Sequence, residues 1–377
     1  MTRYKDTFRW NDIDDTKPGV WRYLRRLPVT AATPLLSLGE GDTPVLPLQK
    51  IGSRLGVSLS AKMELYNPTG CFKDRSMAVG VAKAVEFGAP LVALSSAGNA
   101  GASCAAYAAQ AGLGCVVVVP DGTPPERLVQ IQVLGGRVIC MQGTTSDAAE
   151  MLGMAADRFG WHVLTTAAAI NPYQADGTRT LAYELARRWS APPDWIVCPV
   201  GGGGLLVGIA SAMIELRDEG LIADVPRMLA VQPSGCAPVV AALRHGGSGH
   251  VASWDASTSS VWSLADPVPL DGELAVAAVH ATRGAAIDVS DDAIAEMQIA
   301  MGWEEGIFAE PAGATAMAGL AAAINVGMVS KGSQVMAIIT GAGLKDVRSV
   351  GTRLEAPLVI RKGADDVLEA VEKWVGE

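Results

Sequence analysis

The segment DWIVCPVGGGGLLVGIASAMIE, residues 194–215, decides the fold class of this chain. Residues 195–200 are almost all apolar, which is typical of a strand buried on both faces. Residues 205–215 have the composition of a helix, and four consecutive glycines separate the two elements. A strand that passes through a glycine turn into a helix is the repeating unit of α/β proteins with parallel sheets.

The same alternation recurs along most of the chain. Apolar runs predict strands at residues 90–96, 114–120, 136–141, 162–166, 194–200, 228–233 and 333–340. Alanine-rich stretches predict helices at residues 73–87, 100–111, 127–133, 147–158, 176–188 and 205–215. We therefore expect an α/β fold with largely parallel, twisted sheets flanked by helices.

Composition excludes several classes of function. The chain has 377 residues, a net charge of -9 and no cluster of Lys and Arg, so a surface for nucleic acid is not expected. No apolar run approaches the ~20 residues of a spanning helix, and the charged first residues do not resemble a secretory signal, which predicts a cytoplasmic protein without membrane contact. Six cysteines without a CxxC pair and four widely spaced histidines predict no metal site.

The glycine run itself suggests a ligand. Backbone N–H groups at the start of a helix can cradle a phosphate. A dinucleotide motif would require glycine at position 206 or 207, where Leu206 and Val207 stand, and the lysine of a mononucleotide loop is also missing. We therefore expect a single phosphate here.

A lysine and a threonine lie next to turns elsewhere in the chain. Lys73 follows the turn formers of NPTGCF, residues 67–72, and is expected to begin a helix, where a lysine can act as a nucleophile or remain a solvated charge. Thr340 ends a predicted strand, where its hydroxyl can bind an aromatic ring nitrogen or its own backbone.

The stretch LSSAGNAGAS, residues 94–103, joins a strand to a helix through small residues. Exposed N–H groups and hydroxyls in such a turn suit a carboxylate, although the same pattern also serves as ordinary strand–helix punctuation.

Taken in order, these segments resemble the threonine synthase branch of the fold-type II pyridoxal-phosphate (PLP) enzymes, which are relatives of the tryptophan synthase β chain. The resemblance covers nearly the whole chain, through residues 20–23, 39–44, 67–75, 199–208, 310–312 and 340–346. It implies a two-lobed homodimer. In each subunit a small mobile lobe, residues 60–165, would contribute the carboxylate-binding turn, and residues 1–59 and 166–377 would form the larger PLP-binding lobe.

The resemblance also implies residue roles. Lys73 would hold PLP through a Schiff base and move protons at the α-carbon of the substrate. Asn99 would bind the 3′-oxygen of PLP, and Thr340 would face its pyridine nitrogen. The phosphate of PLP would be held by Gly201, Gly202, Gly203 and Gly204. The substrate carboxylate would be received by Ser96, Gly98, Asn99 and Ala100.

One segment departs from the threonine synthase pattern. Ala168 and Ala169 replace an Asn-Ser pair, and Gln174 replaces an Arg, so that three ligands of the substrate phosphate are absent and Gln174 becomes a candidate substrate contact. The main hypothesis is therefore a PLP-dependent lyase, or a β/γ-elimination or replacement enzyme, acting on a small amino acid other than O-phosphohomoserine.

Two alternatives remain open. The first is a genuine threonine synthase that converts O-phosphohomoserine to threonine and holds the substrate phosphate with other groups, for which the candidates are Arg22, Arg75, Arg179 and Arg283. The second is a PLP-binding protein without catalytic turnover.

Overall fold

The computed structural model describes residues 4, 6–143, 145–168, 170–244 and 249–357, together with residues 367, 369, 371 and 372. Ala169, and His245, which is one of the four histidines, lie outside the described residues. Strands and helices alternate along the chain, and the predicted α/β fold is confirmed.

The strands are β1 (Val45–Pro47), β2 (Ser58–Met63), β3 (Leu91–Ser95), β4 (Gly114–Pro120), β5 (Arg137–Met141), β6 (His162–Val163), β7 (Trp195–Pro199), β8 (Arg227–Pro233), β9 (Ala285–Val289) and β10 (Gln334–Ile339). The helices are α1 (Gln49–Leu55), α2 (Lys73–Glu86), α3 (Asn99–Ala111), α4 (Pro125–Val133), α5 (Thr145–Phe159), α6 (Pro172–Arg188), α7 (Gly204–Asp218), α8 (Pro238–Arg244), α9 (Gly272–Ala281), α10 (Asp291–Glu305), α11 (Pro311–Asn325) and α12 (Arg348–Gly351).

The described strands form two sheets. The larger has the order β1-β2-β10-β7-β8-β9 and is parallel except for the β1–β2 pair. The smaller has the order β5-β4-β3-β6 and is parallel throughout. Because β7 and β10 are parallel neighbours, the glycine run after β7 and the threonine after β10 leave the same edge of the larger sheet.

Helices cover both faces of the larger sheet. In β7, Trp195 and Val197 belong to the core cluster of α10 and α11, whereas Ile196 and Cys198 belong to the cluster of α6 and α7. Both faces of this strand are therefore buried, which explains why its sequence is a continuous apolar run.

The smaller sheet contains only strands from residues 91–163. Helices α2 and α3 pack on it through Val79, Tyr107 and neighbouring residues, which share a core with Val92 and Val117. The division of the chain into lobes at residues 60 and 165 stays a prediction.

A buried ion-pair network anchors α2. Arg75 donates to both carboxylate oxygens of Glu64, at 2.7 and 2.8 Å, and to both oxygens of Glu184, at 2.7 Å each. Lys62 adds a further bond to Glu184, at 2.7 Å. These side chains are almost completely removed from solvent. The network fixes the helix that begins at Lys73.

Candidate active site

Two loops are joined at the carboxyl edge of the larger sheet. The backbone N–H of Phe72 donates to the carbonyl of Thr340 at 3.0 Å, and the N–H of Ala342 donates to the carbonyl of Gly70 at 2.9 Å. These bonds attach the turn before Lys73 to the end of β10. The structure therefore brings together two predicted site residues, Lys73 and Thr340, that are far apart in sequence.

Lys73 is the first residue of α2, as the sequence predicts, and its side chain is half-buried. Its ammonium lies 4.7 Å from the centroid of the Phe72 ring. Burial lowers the pKa of Lys73 because it disfavours the charged form, and nearby acidic groups such as Asp266 oppose this shift. An amine with a lowered pKa is more often neutral and can act as a nucleophile.

The glycine run forms the turn between β7 and α7. Gly203 is the N-cap residue of α7 and has a φ of 100°, which a residue with a side chain rarely adopts. A Cβ atom at Gly203 would lie 2.8 Å from the carbonyl oxygen of Asp271, and one at Gly204 would lie 2.7 Å from that of Thr166. The backbone N–H groups at this helix start remain suited to an anion.

Two aspartates that the sequence analysis did not single out contact this turn. The N–H of Asp271 donates to the carbonyl of Gly202 at 3.0 Å, and its carboxylate accepts from the N–H of Ala168 at 2.8 Å. Asp266 lies 3.0 Å from the Cβ position of Gly202, and burial raises the pKa of its carboxyl. Asp266 is therefore more readily neutral when an anion binds nearby. No spacing or motif in the sequence marked these two positions.

The hydroxyl of Thr340 is buried at the end of β10. Among the residues that the structure describes, no group forms a hydrogen bond with its Oγ1. A buried polar atom without a partner costs about 1–3 kcal/mol, so such atoms usually indicate a ligand or water. This hydroxyl fits the predicted contact with a ring nitrogen.

The predicted carboxylate turn lies between β3 and α3. The N–H of Gly98 donates to the hydroxyl of Ser96 at 3.3 Å, and Gly98 is the N-cap residue of α3. Asn99 and Ala100, the first residues of that helix, are buried. The Asn99 side chain donates to the carboxylate of Glu310, a residue whose own role the sequence did not reveal.

A cavity of about 570 Å³ opens next to this turn. Gly98 and Asn99 line it, together with Thr69, Trp262 and Lys345. The other predicted site residues are not among its lining residues. The cavity thus reaches the carboxylate turn from the side of α4 and of the segment after β10.

Gln174 is completely buried in the first turn of α6. Its side-chain N–H lies 3.6 Å from the sulfur of Met77, which is one turn after Lys73, and its Oε1 has no hydrogen-bond partner among the described residues. Gln174 does not line the cavity beside Asn99. Its role as a substrate contact stays a prediction.

Neither a group of metal-binding side chains nor a helix that could span a membrane is present among the described residues. Within residues 4–357, apart from the gaps named above, no three His, Cys, Asp or Glu side chains are grouped so that they could hold a metal ion. None of the described helices combines the length and the apolar character needed to cross a bilayer.

Comparison with known proteins shows the family. A model of the family described as pyridoxal-phosphate dependent enzyme matches residues 36–341. Threonine synthase of Methanocaldococcus jannaschii is 35% identical over 360 residues, which cover 94% of this chain and 88% of that protein. Threonine synthase of Bacillus sp. strain ULM1 is 34% identical over 327 residues, covering 86% of this chain and 89% of that protein.

Solved structures agree in fold. Processed threonine deaminase isoform 2 from Solanum lycopersicum superposes with a TM-score of 0.73 at 22% identity, over 88% of this chain and 92% of that chain. Diaminopropionate ammonia lyase from Escherichia coli gives a TM-score of 0.71 at 19% identity, over 86% and 92%. The resemblance predicted from the motifs is confirmed, and the chain belongs to the family of pyridoxal-phosphate-dependent enzymes.

Proposed function

We propose that this enzyme catalyses an elimination or replacement reaction on a small amino acid that carries no phosphate ester. The proposal rests on one observation. The arginines that could bind a substrate phosphate are already paired with carboxylates elsewhere in the structure. We also propose, from the family resemblance, a homodimer in which the small lobe of residues 60–165 moves over the substrate.

The residues of the site fit PLP. When bound, PLP withdraws electrons from the bonds at the α-carbon of an amino acid. The N–H groups of Gly201–Gly204 would hold its phosphate, Asn99 its 3′-oxygen and Thr340 its ring nitrogen. A neutral hydroxyl does not protonate that nitrogen, so the pyridine ring would withdraw electrons only moderately. Moderate withdrawal favours loss of a leaving group from the substrate over transamination.

The protein itself contributes proton transfer and orientation. The Lys73 amine, with its lowered pKa, can accept the proton from the α-carbon of the substrate and return it later in the reaction. The backbone N–H groups between Ser96 and Ala100 would bind the substrate carboxylate and thereby orient the bond that breaks. Closure of the cavity beside Asn99 would exclude water from the reacting atoms.

The arginines that could replace the missing phosphate ligands are already paired with carboxylates. Arg75 and Arg179 are buried, and their guanidinium groups are bound by Glu64, Glu184, Asp176 and Glu215. The other two pairs lie nearer the surface, where Arg22 binds Asp42 at 2.8 Å and Arg283 binds Asp224 at 3.0 Å. Transfer of a buried arginine from its carboxylates to a substrate would leave much of their negative charge uncompensated, at a cost of several kcal/mol.

A second candidate function is threonine synthesis from O-phosphohomoserine. The relatives named threonine synthase, which are 32–35% identical over most of the chain, favour it. In that case the substrate phosphate must be bound without the Asn-Ser pair and the arginine of the family pattern, which Ala168, Ala169 and Gln174 replace.

A substrate panel separates the two candidates. The PLP-loaded enzyme is incubated with serine, threonine, their O-acetyl derivatives, hydroxy-acidic amino acids and O-phosphohomoserine, and 2-oxo acid, ammonia, phosphate and new amino acids are measured. We expect turnover of at least one unphosphorylated amino acid and little threonine from O-phosphohomoserine. Efficient threonine formation would instead establish the second candidate, and an unchanged PLP spectrum with every amino acid would favour a binding protein without turnover.

Substitution of Gly203 by alanine tests the phosphate cradle. We expect the affinity for PLP to fall about tenfold or more, because the new Cβ meets the Asp271 carbonyl at 2.8 Å and the residue has a φ of 100°. Titration of the apoenzyme with PLP, followed by absorbance, measures this. The control is Gly220→Ala at the opposite end of α7, where φ is 75° and no atom lies within 4 Å of the new Cβ. Equal PLP affinities of the two variants would contradict the prediction.

Substitution of Thr340 by valine removes a hydroxyl and preserves the shape of the side chain. We expect PLP affinity to fall up to about tenfold, the value of one hydrogen bond of roughly 0.5–1.5 kcal/mol. The apoprotein should lose no stability, because this hydroxyl has no partner among the described residues. Thr340→Ser retains the hydroxyl and should bind PLP nearly as the unmodified enzyme does. Unchanged PLP affinity in Thr340→Val would show that the Thr340 hydroxyl does not contact PLP.

A further inference from the structure

Glu310 is a buried carboxylate next to two of the predicted PLP contacts. It is the N-cap residue of α11, and its backbone N–H donates to the carbonyl of Gly341 at 2.9 Å, directly after Thr340. A Cβ atom at Gly341 would lie 2.3 Å from Glu310 Oε1. The carboxylate is therefore pressed against the end of β10.

The same carboxylate binds the side chain of Asn99. The Nδ2 atom of Asn99 lies 2.9 Å from Oε1 and 3.0 Å from Oε2 of Glu310. The two oxygens of one carboxylate lie close together, whereas the two N–H bonds of an amide diverge. A single N–H of Asn99 therefore serves both oxygens, and its second N–H remains available to another acceptor.

An ionised carboxylate only accepts hydrogen bonds. If the Asn99 amide rotated by half a turn, its carbonyl oxygen would face Glu310, and two acceptors would meet in a buried place. Burial raises the pKa of the Glu310 carboxyl, while the bond from Asn99 and the nearby Lys345 ammonium oppose this rise. In the ionised form, Glu310 accepts one N–H of Asn99 and leaves the second N–H available for a ligand.

We propose that Glu310 is a positioning residue that fixes the orientation of the Asn99 amide, so that its second N–H donates to the 3′-oxygen of PLP. The inference rests on the placement of PLP beside Asn99 in the proposed function. It does not depend on the identity of the substrate. It gives a role to a buried carboxylate that, in this arrangement, does not touch the reacting atoms.

The test uses Glu310→Gln, because glutamine has the same shape but can both donate and accept, and so permits either orientation of Asn99. PLP is titrated into the apoenzyme at mildly alkaline pH, which favours the ionised form of the carboxyl because burial raises its pKa. We expect affinity to fall about threefold or more and the absorbance maximum of bound PLP, which reports the charge on its 3′-oxygen, to shift. Glu296→Gln, on the exposed face of α10, is the matched control and should change neither.

A double-mutant cycle separates positioning from a merely structural role. In an Asn99→Ala background, Glu310→Gln should cause no further loss of PLP affinity, because the group through which Glu310 acts is gone. Equal losses in both backgrounds would overturn the proposal, as would an unchanged affinity and spectrum in Glu310→Gln, or an unchanged affinity in Asn99→Ala. If Glu310→Gln does not fold, Glu310→Asp withdraws the carboxylate by one methylene group and is measured in the same cycle.

Discussion

Replacement of Lys73 by alanine is expected to lower kcat/KM on the order of 10³-fold, with the protein still folded. The amine at this position is the group that the site offers for proton transfer at the α-carbon, and such a contribution is typically 10²- to 10⁴-fold. None of the ion pairs among the described residues includes Lys73, so its removal should cost little stability beyond the contact with the Phe72 ring. Steady-state kinetics with the substrate found in the panel measures the effect.

Lys50→Ala, on the exposed side of α1, is the matched control for the loss of a lysine and should retain full activity. Lys73→Arg keeps a positive charge but cannot form the same bond to an aldehyde, so we expect it to be as inactive as the alanine variant. Activity of the alanine variant within tenfold of the unmodified enzyme would show that another group performs the proton transfer.

Replacement of Arg75 by alanine should produce the largest loss of stability, about 3–5 kcal/mol of unfolding free energy. Arg75 is fully buried and binds both oxygens of Glu64 and of Glu184, so its removal leaves two carboxylates with much of their charge uncompensated. Arg75 currently helps to hold the pKa of Glu184 down at about 2 despite burial. Denaturant unfolding of the apoprotein measures the loss.

Arg187 provides the matched comparison. It binds Asp15 at 2.7 Å through the same kind of two-pronged contact, but both side chains are largely exposed. Exposed pairs are worth about 0–1 kcal/mol, so Arg187→Ala should cost no more than that. In the Arg75→Ala protein, Glu64→Gln should restore part of the stability because it removes a buried charge that has lost its ion-pair partner, whereas Glu184 keeps Lys62. Similar losses for Arg75→Ala and Arg187→Ala would contradict the buried network.

The strands that could be predicted from the sequence are those buried on both faces. The run GCVVVVP at 114–120 coincides with β4, and residues 194–200 contain β7, because central parallel strands are apolar on both faces. Strand β2, SLSAKM, was not predicted, because a lysine interrupts its apolar pattern. Lys62 can be buried there only because Glu184, 122 residues further along the chain, binds it. No local pattern contains that information.

In the candidate site, too, local sequence marked some residues, whereas others depend on contacts between distant parts of the chain. The positions of Lys73, Thr340 and the glycine run could be predicted because each lies within or beside a turn at the junction of a strand with a helix or loop, where ligands bind in α/β proteins. The bond between Asn99 and Glu310 joins residues 211 positions apart and depends on the packing of α3 against the start of α11. Residue order alone therefore did not reveal a role for Glu310.

The central claim, that Lys73 holds PLP, is tested most directly by reduction of the PLP-loaded enzyme with borohydride, followed by proteolysis and mass spectrometry. The reduction makes the bond between PLP and a lysine permanent, so the modified peptide identifies the residue. The account predicts a stoichiometric pyridoxyl group on Lys73, in the peptide that contains CFKDR, residues 71–75. Modification of Lys345, the lysine that lines the cavity beside Asn99, with Lys73 unmodified, would contradict it.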